Sequence, residues 1–184
     1  MMPVMHFELL TDWRRRLRVF FFRADTDAWI FTSIVFALVA GLAFALSAVY
    51  ADREALRNRL LDAQKKNIDC LARNVYFEAR GEPLAGQYAV AEVTMNRTAS
   101  AFFPRSVCSV VHEKGAFSWT ALGPLPEPGG AEWQRALEVA EAVYYGRHAP
   151  ELAGALFYHA TQVHPAWAKE RKRITRIGRH IFYR

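Results

Sequence analysis

Residues 70–97 read CLARNVYFEARGEPLAGQYAVAEVTMNR, and the break inside this stretch decides how the chain folds. Before the break, an apolar-periodic segment from Ile68 to Arg80 predicts a helix, with Asp69 as its capping residue. Gly81 and Pro83 interrupt it: glycine loosens the backbone, and proline pushes Glu82 out of the helical region. A second helix is expected from Leu84 to Thr98, turning Leu84, Val90, Val93 and Met95 inward with alanines between them. Glu78 therefore falls near a helix C-terminus and Glu82 in the turn that follows.

Outward from this pair the pattern stays mostly helical. Residues 102–111 include a proline and read as a loop with a short helix. Residues 114–130 contain GPLPEPGG and form a long loop of the functional or mobile kind. Ala131 to Tyr145 is an amphipathic helix, with Ala136, Leu137, Ala140, Val143 and Tyr144 on one face. Ala155 to His159 is a candidate strand, and Arg173–Ile177 with Arg179–Tyr183 alternate around Gly178 as a small hairpin. The fold class is mainly α with a small β element.

Toward the N-terminus the composition changes. Ala28 to Ala51 holds 24 residues without a charge, and about 20 apolar residues cross a bilayer core as a helix. Trp29 and Tyr50 stand near its ends, where amphipathic rings favour the interface. The run is too long and begins too late for a cleaved signal peptide. The expected organisation is a short cytoplasmic segment at 1–27, a transmembrane anchor at 28–51, a charged helical linker at 52–67 and a domain at 68–184. Five arginines from Arg14 to Arg23 precede the span, and Arg53, Arg57, Arg59, Lys65 and Lys66 follow it. Charge alone does not orient it.

The net charge of +6 is local: residues 169–184 carry seven Lys/Arg against one Glu. Such a tail is either a solvated basic face or an attraction for an anionic polymer, whether nucleic acid, acidic lipid or cell wall. Glu78 is the sharper feature. A carboxylate at a helix C-terminus, flanked by Tyr76 and Phe77, is disfavoured as an anion, which is how a general acid stays protonated near neutral pH. A solvated surface glutamate is the plainer reading of the same pattern. His159 and His164 match no metal motif, so no metal and no cofactor is expected. Cys70 and Cys108 form a possible disulfide if the domain faces an oxidising compartment. Ser118 lacks a nucleophile elbow. Trp119, beside the Gly/Pro-rich loop, is a candidate platform for a sugar ring.

Taken in order, CLARNVYFEARGEPLAGQYAVAEVTMNR, FPRSVCSVV, FSW, FYHATQVHPAW and ITRIGRHIFYR resemble the SleB/CwlJ-type cell wall hydrolase family over residues 69–184. The resemblance implies a lysozyme-like or lytic-transglycosylase-like domain, a peptidoglycan substrate and cleavage between MurNAc and GlcNAc. It implies that Glu78, the first glutamate of E-A-R-G-E, is catalytic. Glu82, Trp119, Tyr158, His159 and Trp167 are the substrate-contact candidates beside it. Glu82, Glu92 and Glu113 are open as a second carboxylate, and a site with one acid fits a lytic transglycosylase better than a muramidase. A non-catalytic wall-binding module, or a zinc hydrolase built on His159 and His164, are the competing classes. The chain departs from the family pattern at Gly115 and Ala116, before FSW. A wall substrate puts the domain on the periplasmic side of the inner membrane with the N-terminus inside, with a regulatory protein expected and no nucleic acid partner.

Overall fold

A computed structural model describes the backbone from residue 5 and the side chains from residue 26 through 184. The N-terminal segment 1–27, with its arginines, lies almost wholly outside the described side chains. The chain divides into two compact units, 1–58 and 59–184. Helix α1 (Met5–Ala79) is long and apolar enough between Thr26 and Ala79 to cross a membrane. The large side chains of its apolar run at 28–51, among them Trp29, Phe36, Leu42 and Phe44, are exposed.

One correction concerns the start of the domain's first helix. Residues 52–79 belong to a single uninterrupted α1, so Asp69 caps nothing. Mid-helix, its carboxylate accepts instead from Arg73 Nε at 3.0 Å. No glycine or proline lies between Ala51 and Ala79 to stop the helix, and the charged run is built from strong helix formers.

The second unit is organised around α2 (Leu84–Ala99), which is buried on most of its circumference. On one side Ala91 joins the helical core, where Leu71, Ala72 and Val75 of α1 meet Val107 and Val111 of α3 (Val107–Val111). Ala136, Val139 and Ala140 of α4 (Gly130–Tyr144) complete it. On the other side Ala89 and Val93 pack with Leu152, Ala155 and Phe182. Alanines on both faces let the neighbours approach closely, which is why α2 reads as an alanine-rich and weakly amphipathic stretch. Leu84 departs from its expected inward position. It opens the helix and stays half exposed.

Strands β1 (Phe157–Ala160), β2 (Arg173–Ile177) and β3 (His180–Tyr183) form an antiparallel sheet in the order β1-β3-β2. The terminal hairpin is therefore part of a three-stranded sheet, with β3 central and its His180, Phe182 and Tyr183 buried. Gly178 and Arg179 make the two-residue loop between Ile177 and His180.

That loop is fastened to the break in the opening stretch. Glu82 Oε2 accepts from the Arg179 backbone N–H at 2.8 Å, and Oε1 from Arg179 Nε at 2.6 Å. A Cβ on Gly178 would run into the Glu82 carboxylate, and its φ of +54° favours glycine in any case. Burial raises the Glu82 pKa, but the two bonds from Arg179 and the charges of His180 and Arg179 outweigh it and hold it low. His180 is held below its ordinary value, chiefly by burial.

Both shifts have the same consequence. A group whose folded pKa is depressed stabilises the fold above its unfolded pKa, and that contribution is lost as pH falls. Thermal melts should therefore show stability falling below about pH 6.5 as His180 takes a proton, and again below about pH 4.5 as Glu82 does. Glu82→Gln should flatten the lower limb; a wild-type Tm that is level from pH 7 to pH 4 would remove this account.

Two further buried polar clusters tie the helices together. Asn74 Nδ2 donates to Thr94 Oγ1 at 3.1 Å, and Trp119 Nε1 donates to Asn74 Oδ1 at 3.0 Å. Glu92 accepts from the backbone N–H groups of Glu151 and Leu152 and pairs with His148, whose ring stacks on Tyr88. The Cys70–Cys108 disulfide joins α1 to α3.

Candidate active site

Glu78 sits in the last turn of α1, where unpaired helix carbonyls disfavour a negative charge. Its carboxylate Oε2 accepts a hydrogen bond from the hydroxyl of Tyr158, on β1, at 3.0 Å. Burial raises the pKa of Glu78 above the usual carboxylate value; the Tyr158 bond and the charge of Arg97 pull it back without cancelling that rise. Tyr158 lies among Phe117, His180 and Phe182. Burial, followed by the charge of Glu78 beside it, pushes its hydroxyl well above the ordinary tyrosine value, so it remains a donor.

Tyr158 also lines an open cleft of about 440 Å³, together with Phe157, Trp167, Arg97, Glu113 and Arg171. The loop after α3 contributes Lys114, Gly115 and Ala116, so the position where the chain departs from the family pattern is part of the cleft wall. Phe157 and Trp167 have ring centroids 5.8 Å apart. An acid whose pKa is raised, a fixed hydroxyl donor and an aromatic-lined groove can together protonate and orient a bound polyol.

The remaining residues read from sequence fall in different places. Trp167 shares the cleft with Tyr158. His159 packs beside Trp167 and stacks on Tyr183. Both its ring nitrogens are used inside the protein: Nδ1 donates to the Ala160 carbonyl at 2.9 Å, and Nε2 accepts from the Tyr183 hydroxyl at 2.8 Å. His164 is exposed, and among the described residues no group of three His, Cys, Asp or Glu side chains converges. Trp119 is drawn into the fold: one face stacks on Phe77 at 4.7 Å and its N–H is spent on Asn74. Glu82 is likewise engaged inside the fold, with its side chain buried and both oxygens on Arg179. Of the three glutamates open as a second carboxylate, Glu82 and Glu92 are taken up by internal hydrogen bonds, and Glu113 alone borders the cleft.

Arg97 is the residue that sequence reasoning missed. It is only 7% exposed, donates from Nε to the Leu156 carbonyl at 2.8 Å, and lies over the rings of Phe103 and Phe117. A signal was available: Val90, Val93, Thr94 and Arg97 follow the spacing of one buried helical stripe, and a charge on such a stripe marks a special environment.

Comparison with known proteins bears on the same region. Residues 81–183 match the family model described as Cell Wall Hydrolase, beginning just after Glu78. The spore cortex-lytic enzyme of Bacillus subtilis (strain 168) is 38% identical over 124 residues, covering 63% of this chain and 37% of that protein. The spore cortex-lytic enzyme of Oceanobacillus iheyensis is 38% identical over 121 residues, covering 64% of this chain and 41% of that one. The chain thus spans about two fifths of the length of these relatives. Among solved structures, the catalytic domain of the Bacillus cereus SleB protein superposes with a TM-score of 0.57 at 34% identity, covering 65% of this chain and 91% of that one. The catalytic domain of the germination-specific lytic transglycosylase SleB from Bacillus anthracis gives 0.55 at 34% identity, covering 64% and 93%. With more than half its length matched by the family model and the fold shared with these domains, the chain belongs to the cell wall hydrolase family.

Proposed function

We propose that this protein cleaves the glycan backbone of peptidoglycan from a membrane anchor, with Glu78 as its general acid and base. The observation that carries the reading is the half-buried Glu78 carboxyl, its pKa raised, hydrogen-bonded to Tyr158 at the edge of an aromatic-lined cleft. Protonated Glu78 gives its proton to the oxygen that links MurNAc C1 to GlcNAc C4, and the C1–O bond breaks as positive charge grows on the muramic ring. Tyr158 holds the carboxyl in place and stabilises the carboxylate left behind. That carboxylate then takes the proton of the muramic 6-hydroxyl as its oxygen bonds to C1. A 1,6-anhydro sugar forms, Glu78 is protonated again and no water is consumed.

A single acid is enough for this lytic transglycosylase reaction. Support comes from the internal engagement of Glu82 and Glu92, and from the similarity to the catalytic domain of the Bacillus anthracis lytic transglycosylase SleB. Glu113, on the cleft wall, is the observation that favours a muramidase-type hydrolase as the second reading. Trp167 and Tyr158 are the substrate contacts in either case.

The exposed apolar run of α1 supports anchoring at residues 28–51. So do Thr32, Ser33 and Ser47, whose hydroxyls all bond back to carbonyls of their own helix, as apolar surroundings require. The disulfide supports a domain on the oxidising, extracytoplasmic side with the N-terminus inside.

Mass spectrometry of purified sacculi digested by the full-length protein in detergent micelles tests the chemistry. Anhydromuropeptides are the expected products. Reducing ends in their place would assign hydrolysis and direct attention to Glu113; no release from a folded protein would leave a wall-binding module.

A further inference from the structure

We propose that the cleft beside Glu78 contains a carboxylate-binding subsite, formed by Arg97, Lys114 and Arg171, that reads the acidic substituent of the muramic sugar. The inference rests on the peptidoglycan reading and goes further, to the part of the substrate that is recognised. Its anchor is Arg97. A buried guanidinium is costly unless its charge and its donors are matched. Here Nε is bonded to Leu156, while Nη1 is buried and has no acceptor in the protein. Three aromatic rings surround the group, those of Phe103, Phe117 and Phe157, and they supply no acceptor for it. Glu113 and Glu78 act on it through space without forming an ion pair. Helix α2 holds this cation at the wall of an open cavity.

The rim adds to the same field. Arg171 lies 3.4 Å above the Phe157 ring centroid, which fixes it over the cleft. Lys114 lines the opposite loop, and neither residue forms an ion pair among the described residues. Three cations face one carboxylate, Glu113, so the cleft keeps an excess of positive charge. Tyr158 is shared between this cleft and the Glu78 carboxyl, so a group bound here belongs to a sugar at or next to the bond being cut. In peptidoglycan that group is a carboxylate on the 3-substituent of the muramic residue. It comes either from the free lactyl group of a peptide-stripped strand or from the stem peptide.

Full-length Glu78→Gln protein in detergent micelles is incubated with two materials, intact sacculi and peptide-stripped glycan strands. Each is used native and after carbodiimide coupling to ethanolamine, which makes its carboxylates neutral. The expected result is a loss of affinity of roughly tenfold on neutralising one of them, the size of one good charge-assisted contact. Loss with the stripped strands assigns the lactyl carboxylate, and loss confined to sacculi assigns the peptide. The Lys114→Gln/Arg171→Gln pair, chosen because both residues are exposed, should reduce the difference and, in the Glu78 protein, raise KM with kcat held. Equal binding before and after neutralisation, or a difference undiminished in the double variant, overturns the subsite. Binding to the Glu78→Gln protein needs no turnover. Absence of cleavage by the Glu78 protein would therefore count against the proposed reaction and leave the subsite to its own result.

Discussion

Glu78→Gln abolishes muropeptide release, with an expected loss of about 10³-fold or more, because an amide supplies no acidic proton to the leaving oxygen. Glutamine has nearly the shape of glutamate and its carbonyl still accepts from Tyr158, so the cleft keeps its geometry. The same substitution has a second effect of opposite sign. A carboxyl whose pKa is raised on folding favours the protonated native state, so its contribution to stability is lost as pH rises above the unfolded value near 4.5. Removing the charge should therefore raise the Tm at neutral pH while activity disappears, the mark of an acid held for its chemistry. Tyr158→Phe removes a bond that lowers the Glu78 pKa, so the alkaline limb of the pH–rate profile should move upward. Dye release from labelled sacculi, followed from pH 4 to pH 9 beside thermal melts, reads all three. Near wild-type release by Glu78→Gln would falsify its role as proton donor.

Loss of the disulfide has the next largest effect. Cys70–Cys108 closes a loop of 38 residues, and releasing that constraint from the unfolded chain costs about 4 kcal/mol of stability. For a domain of this size that corresponds to a fall in Tm on the order of 10 °C or more. Cys70→Ser/Cys108→Ser should show it, and reductant should bring wild type to the same value. The consequence reaches the site through both partners. Cys70 lies on α1, which carries Glu78, and Cys108 lies on α3, whose following loop forms the cleft wall from Glu113 to Ala116. Activity should therefore decline at temperatures where the oxidised protein is still fully folded. A double variant that melts within 2 °C of wild type (about half a kcal/mol) would show that the helices are held without the bridge.

Much of the architecture was legible from near neighbours. The helix break at Gly81 and Pro83, the periodicity of α2 and α4, the hairpin around Gly178 and the apolar run at 28–51 each depend on residues a few positions apart. Backbone sterics and side-chain periodicity are set at that range. The continuity of α1 through residues 52–79 was the exception: the change from apolar to charged composition looks like a boundary, yet the backbone has no reason to stop there.

For the site, sequence by itself determined the candidate acid and placed it at a helix end beside aromatic rings. Only the tertiary structure decided which groups act on it. Tyr158 is 80 positions from Glu78, and nothing in the intervening pattern encodes their hydrogen bond. The pairing of β1 with β3 brings Tyr158 onto the central sheet region, and α2, packed between sheet and helices, sets Arg97 behind the cleft. The same packing put Glu82 into a clamp on Arg179 and Trp119 onto Phe77 and Asn74. A residue's type states which chemistry it is capable of. Burial and partners, which arise from contacts between distant segments, decide whether that chemistry is spent on the fold or left open to a ligand.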